Sequence, residues 1–287
     1  MRTIDAHLHL WNRADGYHWL ASADEALRED FTPERAAAEL QAAGVDAAIL
    51  VQADDTELDT MSMLSASDTC SWVAGVVGWV PIDDARRAEA LLDRWGAHPR
   101  FSGVRQLLHD DPRDGLLLAA PARRLAAVLA DRGLPLDLPN AFPRLLRDAT
   151  GLARLEEGLT IVVDHLAKPP HEDEAFERWA TELAAAAASP NMVAKVSGLN
   201  RAGRPFVAAD VRRAWDTALA CFGPERLMLG GDWPMTVTSG GYGAVWHELS
   251  GLVDELSPAE RDALRGGTAT RVYRLDRRGP AGVDGLT

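Results

Sequence analysis

RLMLGGDWPM, at residues 226–235, is the stretch on which the fold turns. Its apolar run, 227–229, reads as a short strand buried on both faces, as in a parallel sheet. Gly230 and Gly231 let other parts of the chain come close, and Pro234 ends the strand. An acid at the end of a buried strand costs free energy unless a cation, a metal or a hydrogen-bond donor meets it. Asp232 is therefore either a structural acid bonded to a nearby loop or a catalytic group. What arrives beside it decides between the two.

Seven further runs of this kind lie upstream. Residues 3–10 alternate, with Asp5, His7 and His9 on one face and Ile4, Ala6, Leu8 and Leu10 on the other. The long connection 11–31 carries Trp11, Tyr17, His18 and Trp19, and so aromatic a loop reads as a substrate wall or lid. Thr32-Pro33-Glu34 then marks a helix start with proline at its first position, and Gly44 marks the stop. Strands are expected at 47–53, 73–80, 101–108, 134–139, 160–167 and 192–199, with helices between them and a last capped helix beginning at Ser257. The strand starts at 3, 47, 73, 101, 134, 160, 192 and 226 are mostly 26 to 34 residues apart, the length of a βα unit. With no composition break or linker, this predicts one α/β domain over 1–287, a (β/α)8 TIM barrel. No GxGxxG follows the first strand, which argues against a dinucleotide-binding sheet and a nucleotide cofactor.

Composition narrows the function classes. A net charge of -13 disfavours nucleic acid and anionic membranes as partners, since both reward basic surfaces. The N-terminus has no long apolar signal-peptide core, and no run approaches the roughly 20 apolar residues of a membrane span. Cys70 and Cys221, far apart, read as small buried apolar residues of a reducing compartment, so a cytoplasmic location is expected. Of 30 basic residues only Lys168 and Lys195 are lysine. A lysine kept against that bias points to a place that needs a compact ammonium rather than a planar fork.

A barrel carries its chemistry at the C-terminal ends of its strands. The polar residues arriving there are His7 and His9 from strand one, Arg105 from four, His165 from six, Lys195 from seven and Asp232 from eight. His7 and His9, two apart, project to the same side and can share one metal or one substrate oxygen. Three imidazoles and a carboxylate suit either a single zinc-like ion or a metal-free site that holds a water and polarises a carbonyl. Asp164 would face away from His165 on a regular strand, which leaves it outside the site. His109, close to Arg105, is a further substrate contact to consider; His98, His171 and His247 read as surface.

IDAHLHLW, the Tyr-X-Trp-Leu of the first loop, LVQA, GVVGWV, GVRQ, VDHLAKP, KVSGL and FGPERLMLGGDWP together resemble the amidohydrolase superfamily. Within it they resemble the branch of sugar-lactone hydrolases, the L-fuconolactonase and L-rhamnonolactonase kind. The resemblance runs in order from residue 3 to about 275. It implies a (β/α)8 barrel, hydrolysis of a lactone ring, Asp232 as the base that activates water, and His7, His9, His165 and Asp232 as metal-site positions. Strand five offers Asp137 and no histidine, and strand four offers Arg105 where two-metal members have a bridging Lys or Glu. At most one divalent ion is therefore expected.

On this reading Asp232 takes the proton from water. His7, His9 and His165, with an ion if one is held, polarise the carbonyl. Arg105 and Lys195 bind hydroxyls or a carboxylate, or add to oxyanion stabilisation, while Trp11, Tyr17, Trp19 and Trp233 stack on a sugar-like ring. Two alternatives remain at the level of sequence. One is a decarboxylase or lactone isomerase on the same frame; the other is a non-catalytic ligand-binding barrel, disfavoured because the acid and all three histidines are present.

Overall fold

The computed structural model describes residues 2–109 and 111–277. Its eight strands are all parallel and neighbour one another in chain order. They are β1 Ile4–Leu8, β2 Ala47–Val51, β3 Val73–Gly78, β4 Phe101–Arg105, β5 Leu136–Leu138, β6 Ile161–Val163, β7 Met192–Val196 and β8 Leu227–Leu229. Most end earlier than expected, because the residues beyond leave the ladder at the end where a barrel builds its site. The seam closes where Leu8 bridges Trp233: His9 N donates to Trp233 O at 2.7 Å, and Asp232 N donates to His7 O at 2.8 Å. This is the expected (β/α)8 barrel.

Helices α1 Pro33–Ala42, α2 Glu57–Thr69, α3 Ala85–Gly96, α4 Ala120–Arg132, α5 Leu145–Leu155, α6 Asp173–Ala187, α7 Ala208–Phe222 and α8 Tyr242–Asp254 alternate with the strands. The Thr32 side chain accepts from Arg35 N and starts α1, with Pro33 at its first position. Ser257 and Glu260 form the expected capping box of α9, Pro258–Asp262. Helix α4 begins at Ala120, after a separate short turn at Leu116–Leu118. Pro121 fits only the first turn, where a missing N–H costs nothing.

Two apolar layers result. The outer one packs Leu50, Val76, Val163 and Leu229 of the strands against Leu92, Leu152, Trp179 and Trp215 of the helices. The inner one joins Ile4, Ala6, Ile49, Val51, Val77, Val162, Val193 and Met228. Each such side chain, fully buried, contributes about 1.5–3 kcal/mol. The inner layer continues into Ala269, Val272 and Tyr273 from α10, Thr268–Val272, and its end. A Cβ on Gly266 would lie 2.4 Å from Arg2 O, Leu275 packs at Gly75, and Tyr273 packs at Gly103. The segment 263–275 therefore covers the end of the barrel where the strands begin, a plug the sequence pattern did not announce.

Strand β1 corrects one expectation. Ile4 and Ala6 lie in the inner layer and Leu8 in the outer one. The register slips between Asp5 and Leu8, where β1 spends one residue more than β2. Asp5 Oδ1 accepts from His7 N at 2.9 Å, closing a local turn that produces the bulge. Asp5 then reaches outward to Tyr242 of α8, whose hydroxyl donates to Oδ2 at 2.9 Å. So Asp5 does not share a face with His7 and His9. Among the described residues no helix is long and apolar enough to cross a membrane. Cys70 and Cys221 are free and half-buried rather than buried.

Candidate active site

Beneath the mouth of the barrel lies a column of charge. Lys195, on β7, is fully buried; its Nζ donates to Asp137 Oδ2 at 2.6 Å and lies 3.1 Å from Asp164 Oδ1. Tyr273 donates to the same Asp137 oxygen at 2.7 Å and offers its ring face to the ammonium at 5.4 Å. Arg105 Nε donates to Asp164 Oδ2 at 2.9 Å, and another guanidinium nitrogen donates to Gln52 O at 2.8 Å. Two cations therefore face two carboxylates, which is what makes the burial tolerable. Burial pushes Asp164 up, but Lys195, His7 and Arg105 outweigh it and hold the carboxyl well below its ordinary range.

His7 stands on this column. Its Nδ1 lies 3.2 Å from Lys195 Nζ and 3.4 Å from Asp164 Oδ1, while its Nε2 faces His9 Nε2 at 3.1 Å. His9 Nδ1 is 2.7 Å from Val51 O; the carbonyl can only accept, so Nδ1 carries the proton and Nε2 is left as a lone pair. Asp232 Oδ1 completes the group, 3.7 Å from His7 Nε2 and 3.4 Å from His9 Nε2. It is buried without a hydrogen-bond partner. Burial also holds His7 well below its ordinary pKa and His165 at about 4, so both rings are neutral near pH 7.

Two ring nitrogens and an unpartnered carboxylate oxygen on one point are the donor types that bind zinc-like ions. The carbonyl on His9 and the carboxylate beside His7 are the second contacts that orient ligating imidazoles. The residues therefore fit a metal. His165, the fourth expected ligand, falls in a separate group with His7 and Asp164, and its Nδ1 is 2.9 Å from Ser197 Oγ. Its ring stands edge-on to His7 at 4.6 Å.

Local backbone explains why Asp232 comes here. A Cβ on Gly230 would lie 2.8 Å from His7 Cβ, and one on Gly231 would lie 2.3 Å from Tyr242. Only glycine lets the strand end pass that close. Asp232 itself has φ 51°, a left-handed conformation that aspartate tolerates better than most residues. Burial pushes its pKa up, yet His165, His9 and His7 outweigh it and keep the carboxyl well below its usual range.

Above the cluster opens a cavity of about 710 Å3, within the range of small-molecule sites. His9, Arg105, His165 and Asp232 line its inner end; Trp11 and Trp19, edge to face at 5.0 Å, form one wall. Asp54, His109, Lys168 and Asn200 also line it. Four residues expected at the mouth lie outside the lining, His7 among them, fully buried behind His9 and Asp232. Lys195 is below His7 and out of the cavity lining. Tyr17 is buried with its hydroxyl donating to Asp59 Oδ1 at 2.5 Å. Trp233, whose carbonyl sits in the β1–β8 seam, packs its ring on Phe31 at 5.2 Å.

Two residues were missed. Asp164 was set aside by taking His165 as the inward residue. With Val162 in the inner layer and Val163 in the outer one, Asp164 is the next inward position. The left-handed turn that begins at His165 brings the histidine to the cavity as well. Lys168 ends that turn and faces the cavity. The signal was present: Asp164-His165 with Pro169-Pro170 only three residues further on leaves room for neither a continuing strand nor a helix.

Comparison with known proteins follows the same outline. A protein-family model described as Amidohydrolase matches residues 4–275. A curated L-fucono-1,5-lactonase of Burkholderia ambifaria is 35% identical over 293 residues, covering 96% of each chain. One of Burkholderia multivorans is 34% identical, covering 95% of this chain and 96% of that one. A crystal structure of a Burkholderia multivorans amidohydrolase with bound zinc superposes with a TM-score of 0.86 at 31% identity, covering 96% of this chain and 99% of that one.

Proposed function

This chain belongs to the amidohydrolase family, and from that premise we propose that it opens the ring of a neutral sugar-acid lactone at the His7–His9–Asp232 cluster. It is a lactone-hydrolysing enzyme, adding water to the lactone carbonyl. The observation that carries the site assignment is Asp232 Oδ1, a buried carboxylate oxygen with no partner, converging with two imidazole nitrogens at the inner end of the cavity.

Asp232 is the base: it takes the proton as water adds, and returns it to the ring oxygen as the C–O bond breaks. Acidifying the attacking water would make its proton easier for the carboxylate to take. A single zinc-like ion held by His7, His9 and Asp232 would supply that acidity and polarise the carbonyl. His165, neutral and lining the cavity, orients the carbonyl. Trp11 and Trp19 offer ring faces and edges to a sugar.

Substrate charge follows from the walls. Arg105 is already neutralised by Asp164, and the two wall charges with no ion-pair partner among the described residues, half-buried Asp54 and Lys168, are opposite in sign. Carboxylates accept sugar hydroxyls readily and repel a second anion. A neutral polyhydroxy lactone therefore suits the cavity better than a carboxylated one.

The test is a panel of neutral sugar lactones and carboxylated lactones followed by pH-stat, with and without chelator, alongside metal analysis. One acid released per turnover on neutral lactones and one ion or fewer per chain are expected. Turnover confined to carboxylated lactones, or CO2 release without ring hydrolysis, would sink the reading; two tightly held ions would contradict a mononuclear site.

A further inference from the structure

The two lysines of this arginine-rich chain have different surroundings, and the lactonase chemistry has so far used neither. Lys195 is committed to Asp137 and Asp164. Among the described residues Lys168 forms no ion pair with a carboxylate. It stands at the end of four successive non-glycine residues with positive φ, His165 at 56°, Leu166 at 52°, Ala167 at 60° and Lys168 at 62°. Such a run is costly for L-residues and persists only where the surrounding fold holds it. Its effect is to bring both His165 and Lys168 to the cavity.

One contact fixes the ammonium: Lys168 Nζ donates to Gly198 O at 2.7 Å. An ammonium has three N–H groups, so two remain. Gly198 is also the residue against which the reacting groups pack, since a Cβ there would lie 2.3 Å from His165 Nδ1 and 2.8 Å from Asp232 Oδ2. The ammonium is thus tied to the residue that packs on His165 and on Asp232 Oδ2. Lys168 is an exposed residue that lines this cavity and also a smaller one beside Pro169 and His171, and desolvation pushes its pKa below the ordinary lysine value.

We propose that Lys168 is a catalytic residue that donates a hydrogen bond to the ring oxygen of the lactone as that oxygen leaves. This rests on the lactone-hydrolase reading. The tetrahedral carbon carries three oxygens: the one from water beside Asp232, the former carbonyl oxygen on the imidazole side, and the ring oxygen on the side of Lys168. The water oxygen forms its bond to carbon while Asp232 takes the proton. The ring C–O bond then breaks, the electron pair goes to the ring oxygen, and Asp232 returns the proton there. Lys168 keeps its own proton and stabilises the charge in passing.

The test compares leaving groups. Wild type, Lys168→Met and Lys168→Arg are assayed on an aliphatic sugar δ-lactone and on dihydrocoumarin, whose leaving oxygen is a far more stable phenolate, with thermal midpoints as a folding check. In Lys168→Met, kcat on the aliphatic lactone should fall roughly 10²-fold. On the aryl lactone it should fall less than about threefold, because a phenolate needs little help. Lys168→Arg should recover part of the aliphatic rate, since it keeps the charge. Equal losses on both lactones, or a rise in KM with kcat unchanged on both, would overturn the leaving-group role alone. Wild type inactive on both lactones would overturn the hydrolytic reading and this proposal with it.

Discussion

The barrel interior and the cavity above it treat buried charge in opposite ways. In the interior, Lys195 and Arg105 meet Asp137 and Asp164 at 2.6 to 3.1 Å, and each cation has a carboxylate. In the cavity, Asp232 has an oxygen without a hydrogen-bond partner and Lys168 has spare N–H groups. In the lower region one oxygen of each carboxylate is held by a cation, although Asp137 Oδ1 and Asp164 Oδ1 make no hydrogen bond, so the region is paired in charge and structural. The upper region leaves charge unpaired and available to a ligand. A closed network resists disturbance but binds nothing, whereas open valences cost stability and supply chemistry.

The contrast can be broken at its upper end first. Asp232→Asn should lower kcat by roughly 10²–10⁴-fold with little change in stability, because the amide is isosteric and tolerates the left-handed backbone but takes no proton. Retention of more than about a tenth of the rate would remove Asp232 from the base role. At the lower end, Lys195→Met leaves two buried carboxylates facing one cation, and should destabilise the fold by about 3–5 kcal/mol in urea titration. Lys195→Arg should be nearly as damaging, since a fully buried site filled by an ammonium has no room for a planar fork. A loss under about 1 kcal/mol for either variant would show that the column is not charged as described.

Tyr273→Phe removes one donor from Asp137 and leaves Lys195 in place. The expected loss is about 1.5–3 kcal/mol, the range for a hydrogen bond to a charged group, with kcat per folded molecule unchanged. A fall in kcat without a fall in stability would mean that the plug acts on the reaction itself.

The smallest effect sharpens the same comparison away from both regions. Asp59 is buried with neutral donors, Tyr17 and Ala53 N, and burial pushes its pKa up to about 7. Folded Asp59 keeps its proton through a range where the unfolded chain has lost it. The stability it contributes is full below about pH 4 and is lost as pH rises towards 7. Asp59→Asn should flatten that slope when urea midpoints at pH 5 and pH 7 are compared. An unchanged slope would mean that the hydroxyl of Tyr17 and the backbone donor suffice to keep Asp59 ionised.

The barrel was legible because its signals are local. Apolar runs bounded by Gly and Pro, the Thr32-Pro33 cap and the βα spacing act over a few residues to a few turns, and they placed all eight strands in order. The positions His7, His9, His165 and Asp232 were legible for the same reason, as polar residues interrupting strand ends. What each side chain meets was decided only by tertiary structure. One extra residue in β1 turned Asp5 outward. A left-handed turn after β6 carried His165 and Lys168 to the cavity. The rarity of lysine was visible in the sequence, but whether an ammonium finds a carboxylate at 2.6 Å or a carbonyl beside an open cavity depends on residues thirty or more positions away. Periodicity is a property of neighbours along the chain, whereas electrostatic pairing depends on distances that exist only once the barrel has closed.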